Sequence, residues 1–300
     1  MSWRIISALL TLLGALLLGG CSVARLGYSQ APDLVYWWVD SYLDLSDAQS
    51  SRLRADLVAL HQWHRNTELP LLAGSLADLQ GVALQDTTPV RLCQIVDALR
   101  PRLQAVLDQA EPGFATLAVS LKPEQLAHLQ RQLEKRQQKW RKDWLDGSPT
   151  ERLERRTERL IERSEMFYGR LDASQRALLR ARVAASGFDS TLAEADMLRR
   201  QQDLLQTLQA IGRSGLGVPR AQDEIHQLLT RLLLPTQPAD RARQELLRQE
   251  NCGTFAALHN STSPAQRRQL VETLKAFESD ARALMPGTSP PKMVSINHRN

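Results

Sequence analysis

The chain has 300 residues, of which 43% are hydrophobic, 24% charged and only 5% aromatic, and its formal net charge is +5. That length is enough for one large core or two small ones, and so small a positive excess dictates no particular partner. Nucleic acid would need a concentrated basic face, so a nucleic-acid partner is set aside.

The N-terminus does not read as part of the fold. Arg4 gives a positive start, residues 5–18 are apolar except for Ser7, Thr11 and Gly14, and Leu18-Gly19-Gly20-Cys21 follows. Such a run falls short of the roughly 20 apolar residues that span a bilayer and reads as a signal peptide, residues 1–20. A cysteine directly after small residues reads as a bacterial lipobox, with diacylglyceryl transfer to the Cys21 thiol, cleavage before it and acylation of the new amine. Several acyl chains on one residue exceed the two signals that stable anchoring takes. An ordinary secretory signal ending near a cysteine is the alternative. Ser22 in place of an aspartate resembles the sorting pattern of outer-membrane lipoproteins, so the expected location is the periplasmic face of that membrane. Cleavage removes Arg4 and lowers the formal charge from +5 to +4. Residues 21–31 read as a lipidated tether, and the link over 22–31 spans at most about 35 Å when extended.

Strand signals are nearly absent, and apolar positions recur at three and four, as in Leu126, Leu129, Leu133, Trp140 and Trp144. The expected fold is all-α, a bundle of nine or ten helices without a sheet. The helices are expected near 33–44, 47–84 with a kink at Pro70, 89–110, 123–145, 149–167, 173–186, 190–211, 219–234, 239–258 and 264–284. Residues 32–211 form the main bundle, 212–218 ("GRSGLGV") a flexible joint, 219–285 helices that pack on the bundle, and 286–300 a proline-broken, disordered tail.

The helix starts repeat. Ser46 with Gln49, Asp172 with Gln175 and Ser263 with Gln266 are capping boxes, in which the cap oxygen takes a first-turn N–H and the third-position side chain reaches back. Lys122 with Gln125 is a weaker copy, because lysine cannot cap, although Pro123 suits the first helical position. Ser148 with Glu151 is the glutamate version, and Thr88-Pro89 a cap without its partner. No fixed period relates them, so they are punctuation and not a solenoid.

Candidate chemistry is sparse. In the first helix Tyr36, Trp37, Trp38 and Tyr42 suit either a core or a membrane interface. Asp40 and Asp44, four apart, face water, meet an arginine such as Arg52 or Arg54, or hold a proton for acid-base work. The stretch "LHQWHRNTELP" sets His61, His64 and Glu68 on one helical face. Two histidines and a carboxylate are a zinc set, but the spacing is not that of the metalloprotease motif, and packing or partner contact is the preferred reading. Cys93 and Cys252 either bridge, closing a loop of about 160 residues, or stay as two buried thiols; neither belongs to a C-x-x-C unit. Residues 131–170 hold twelve Lys or Arg and eight Asp or Glu. Glu151 with Arg155 and Arg159 with Glu162 suggest a salt-bridged wet face, while Arg131, Lys135, Arg136, Lys139, Arg141 and Lys142 offer a site for an anionic envelope polymer or lipid. No nucleotide loop, nucleophile elbow or paired cysteine motif occurs, so no catalytic residue, resident metal or cofactor is assigned.

Three segments carry a resemblance: "CSVARLGYSQAPDLVYWWVDSYLDLSDAQ", "LHQWHRNTELP" and "LHNSTSPAQRRQL". Together, over residues 21–285, they resemble a family of bacterial lipoproteins known as a domain of unknown function. The resemblance implies an all-helical fold and an anchored location, and no activity. A looser one, through "LSDAQ", "LKPEQ" and "LDASQ", is to the LTxxQ-motif periplasmic chaperones. The expectation is a lipid-anchored, non-enzymatic helical protein that binds or scaffolds an envelope component, with a helical envelope hydrolase or metal-binding protein using Asp40, Asp44, His61, His64 and Glu68 as the alternative.

Overall fold

The computed structural model describes residues 20–287 apart from position 236. Of the expected signal peptide, 1–20, all but Gly20 lies outside the described residues, as do the side chain of Cys21 and, of the expected tail 286–300, residues 288–300. Within them there are eleven helices and no strand: α1 Gly20–Ser29, α2 Ala31–Leu43, α3 Asp47–Val82, α4 Pro89–Ser120, α5 Pro123–Trp144, α6 Pro149–Tyr168, α7 Ala173–Ala185, α8 Ser190–Ser214, α9 Val218–Leu233, α10 Pro238–Asn260 and α11 Pro264–Leu284.

Three elements differ from expectation. Residues 21–29, read as a tether, are helical and pack against α11. Helix α4 runs on to Ser120 with Pro101 and Pro112 inside it, although an interior proline costs about 3 kcal/mol or more. Tertiary packing offsets that cost. Ala115 and Ala118 beyond Pro112 are buried, and Gly113 faces Asp56 of α3, whose side chain an added Cβ would meet at 3.4 Å, in ordinary contact. At the joint, α8 continues through Gly212 to Ser214, and only Gly215, at φ +57, takes the left-handed conformation that ends it.

The largest core crosses that joint. Leu43 of α2, Ala115 and Ala118 of α4, Leu126 and Leu129 of α5, and Leu208 and Ile211 of α8 pack with Ala221, Ile225 and Leu228 of α9. A second core joins Ile161 of α6, Leu171, Leu179 of α7 and Leu258 of α10. Helix α11 lies along the 36-residue α3, and Cys93 of α4 is bonded to Cys252 of α10.

The four glutamine starts meet in pairs. Gln49 Nε2 donates to Gln125 Oε1 at 3.1 Å and Gln125 Nε2 donates to Gln49 Oε1 at 2.9 Å. Each Oε1 also accepts the cap N–H of its own helix, from Ser46 at 2.9 Å and Lys122 at 3.0 Å. Each Nε2 reaches across to a carbonyl of the other elbow, Ser120 at 2.8 Å and Leu43 at 3.1 Å. Gln175 and Gln266 repeat the arrangement at 2.9 and 2.8 Å, with cap N–H groups of Asp172 and Ser263 and carbonyls of Ser261 and Arg170. A capping box employs only the amide oxygen. The buried NH2 group still needs acceptors, and a second elbow supplies them.

The arginines of α6 also depart from expectation. Arg152 donates to the carbonyls of Leu145 and Gly147, and Arg155 to those of Asp143 and Asp146. They cover carbonyls that the end of α5 leaves open, while Glu151 closes its own capping box with Ser148 and Arg159 turns to Asp143.

Candidate functional site

His61, His64 and Glu68 share the side of α3 on which α1 arrives. Tyr28 of α1 lies over both imidazoles, with ring centroids 4.7 Å from His61 and 5.7 Å from His64, and its hydroxyl stands 2.7 Å from His64 Nδ1. Burial pushes the Tyr28 phenol up to about 12 against the opposing pull of Arg65. Burial also holds the His64 imidazole below its ordinary value, Glu68 opposing and His61 reinforcing. Both shifts favour the uncharged forms of the phenol and the ring. His61 is lowered by burial and by Arg65, against a backbone hydrogen bond with Tyr28, and its Nε2 is buried without a hydrogen-bond partner.

The surrounding groups fasten helices together. Arg65 Nε donates to the Leu284 carbonyl at the end of α11 at 2.7 Å, Arg25 of α1 pairs with Asp280 of α11 at 2.6 Å, and buried Glu68 faces Arg102 of α4 at 3.7 Å. Tyr28 also packs on the small apolar core of Leu69, Ala73 and Ala281. The "LHQWHRNTELP" stretch is thus the seat for α1 and the end of α11.

The other candidates lie elsewhere. Asp40 Oδ1 accepts the Leu45 N–H at 3.0 Å, and Asp44, at φ +50, caps α2. Asp40 in the last turn of α2 and Asp44 at its cap both lie just before Ser46, about 20 Å along α3 from the histidines at 1.5 Å per residue. Arg52 and Arg54, read as their partners, pair instead with Asp56 and Asp33. Asp40 and Asp44 do not join the histidines in one cleft.

Sequence reasoning missed a different group. Among the described residues, the donor atoms of Asp108, Glu111 and His226 lie within 4.8 Å of one another. Asp108 and Glu111 are three apart on α4 and His226 comes from α9, so only the packing of those helices unites them. His226 Nδ1 stands 2.8 Å from Glu111 Oε2, and the bond and the charge of Glu111 raise its pKa. Asp108 accepts a hydrogen bond from Gln104. The trio has the donor chemistry of a divalent-cation site, and the contact with Glu111 favours the protonated form of its histidine.

A second tyrosine-histidine pair closes the other half. The Tyr168 hydroxyl is 3.0 Å from His259 Nδ1 and His259 Nε2 donates to the Gln85 carbonyl at 2.8 Å; burial lowers this imidazole too, against that backbone bond. A lowered folded pKa means that the unfolded chain binds more protons. The stabilisation from His61, His64 and His259 is therefore complete above the ordinary value of 6.5 and lost as pH falls through the folded values. His226 has the opposite sign, but its side chain is largely exposed. Urea midpoints are expected to fall between pH 7 and 5.5, and the His64→Gln/His259→Gln variant to show a flatter acid limb. An unchanged limb in that variant assigns the proton uptake to other groups.

A family model described as "Family of unknown function (DUF6279)" matches residues 41–233, more than half of the chain. That span contains the histidine face and the first glutamine clasp but stops short of Cys252 and Gln266. No curated protein and no solved structure matches the chain.

Proposed function

The chain belongs to the family of unknown function DUF6279, and on that footing we propose a lipid-anchored helical protein on the periplasmic side of the outer membrane that binds or scaffolds envelope components without a catalytic centre. The observation that carries this reading is the docking of α1. The helix that includes Cys21 is tied to the body by Arg25 with Asp280 and Tyr28 with His64, so an acyl anchor there would hold the whole bundle at the bilayer. No helix among the described residues is long and apolar enough to cross a membrane, and the attachment in this reading is the lipid. Three of the polar groups that the alternative would use are engaged in structural bonds, Asp40 with the Leu45 N–H, His64 with Tyr28 and Glu68 opposite Arg102, while His61 Nε2 is buried without a hydrogen-bond partner.

The LTxxQ likeness bears on architecture. "LSDAQ" and "LKPEQ" supply Gln49 and Gln125 of one clasp, and "LDASQ" supplies Gln175 of the other. In this chain those motifs latch helices, and a partner would bind elsewhere.

Replacing Cys21 with serine tests the anchor. Palmitate labelling of the protein should disappear, the signal should stay uncleaved at this site, and no acylated mature form should accumulate in outer-membrane fractions. Unchanged labelling and fractionation would overturn the proposal. Crosslinking in intact cells, read by mass spectrometry, identifies the component bound.

A further inference from the structure

The two tryptophans of α2 are not core residues. Tyr36 is buried, but Trp37 and Trp38 are 60% and 56% exposed, and Leu34 on the same stripe is 58% exposed. Positions 34, 37 and 38 fall at i, i+3 and i+4, one face of the helix, and Leu26 of α1, 64% exposed, stands eight residues before Leu34. Large apolar side chains grouped on a surface mark an interaction site.

The setting of this face indicates what covers it. It is an exposed side of the helix that follows α1, and Trp37 stands sixteen residues after Cys21. Basic chains border it. Helix α5 packs on α2, where His128 Nε2 meets the Ser41 carbonyl at 3.2 Å and the Arg136 guanidinium meets the Tyr42 hydroxyl at 3.5 Å, beside the Trp38 ring. Lys135 and Lys139 are exposed at neighbouring turns. On the other border Arg54 lies over the Tyr36 ring, with Trp37 beyond, and neutralises Asp33. Indole rings between apolar and basic side chains match the layering of a phospholipid headgroup region, where Trp sits at the interface and Lys and Arg meet anionic lipid.

We propose that the Leu34, Trp37 and Trp38 face of α2, with Lys135, Arg136 and Lys139 of α5, docks on an anionic phospholipid leaflet. It lays the bundle along the bilayer where a bare anchor would leave it free to swing. The proposal rests on the anchored reading of Cys21 for its geometry.

The test uses the purified full chain on vesicles of phosphatidylethanolamine and phosphatidylglycerol with brominated acyl chains. Flotation reports the anchor and quenching of tryptophan fluorescence reports the face. The wild type should be quenched, Trp37→Ala/Trp38→Ala should lose most of that quenching while floating as before, and Lys135→Glu/Arg136→Glu/Lys139→Glu should lose part of it. Removing phosphatidylglycerol or adding salt should have the effect of the charge variant. Because both tryptophans are exposed, the alanine variant should keep the wild-type circular dichroism. Protein that floats with equal quenching in wild type and alanine variant overturns the docking face and leaves the anchor intact. Protein without an acyl group that is still quenched through Trp37 and Trp38 keeps the face and shows that docking does not depend on the anchor. Loss of a specific protein crosslink in the alanine variant, with no quenching in either, assigns the face to a protein partner and overturns the proposal.

Discussion

Gln175→Leu is expected to lower unfolding stability by about 3 kcal/mol, since an orphaned buried polar group costs roughly 1–3 kcal/mol and more than one is left here. Gln175 is only 1% exposed. Its oxygen serves the Asp172 N–H, and its nitrogen serves both the Ser261 carbonyl and Gln266 Oε1. Leucine fills the volume but abandons all three, and Gln266 Nε2 loses one of its two acceptors and keeps the Arg170 carbonyl. Gln266→Leu, at a less buried position, should cost less. The double variant should cost less than the sum by roughly 0.5–3 kcal/mol, the range of coupling between groups in one network. Urea midpoints of the four proteins measure this, and strict additivity would show that the amides do not act as a pair.

The first half of that device is visible in the sequence. Ser46, Asp172 and Ser263 three residues before glutamine specify capping boxes by local chemistry, and the helix starts at Asp47, Ala173 and Pro264 follow. The second half is not visible, because a box employs the amide oxygen and nothing local records where the nitrogen goes. Lys122 shows the difference. It supplies no side-chain cap, yet Gln125 is 8% exposed and fully engaged, so the glutamine and not the cap is what the tertiary structure needs there.

The site divides in the same way. Spacing placed His61, His64 and Glu68 on one face, and they do share it. The partners on that face came from 36 residues away for His64, from Tyr28, and from 219 for the neighbouring Arg65, at Leu284, distances at which periodicity carries no information. The same blindness applies to His226 with Glu111, 115 residues apart, and to Trp37 and Trp38. Helical spacing gives a stripe to either tryptophan, and only the position of α3 and α5 decides that Tyr36 and Leu43 turn inward while both indoles stay outside. Pro112-Gly113 misled for a related reason: local propensity ends a helix there, and the buried alanines beyond it keep the helix going.

The other large effect is expected from the bond between Cys93 and Cys252, which are separated by 159 residues. In the chain-entropy model a loop of that length restricts the unfolded ensemble by about 5 kcal/mol, and measured losses for native bridges run at roughly 2–5 kcal/mol. Native geometry does not depend on the bond alone. Arg248 of α10 pairs with Asp97 of α4 at 3.1 Å, the Asn260 side chain exchanges two hydrogen bonds with the Thr87 backbone, and His259 holds the Gln85 carbonyl. Cys93→Ala/Cys252→Ala should therefore keep its helical circular dichroism and lose about 2–5 kcal/mol in urea unfolding, and reductant should shift the wild type to match the variant. Alkylation of protein taken directly from cells, read as intact mass, adds the compartment to the test. A bridge of this kind persists outside the cytosol and is rare within it, so thiols fully alkylated without reduction would remove the bond's contribution in the cell and the periplasmic reading together.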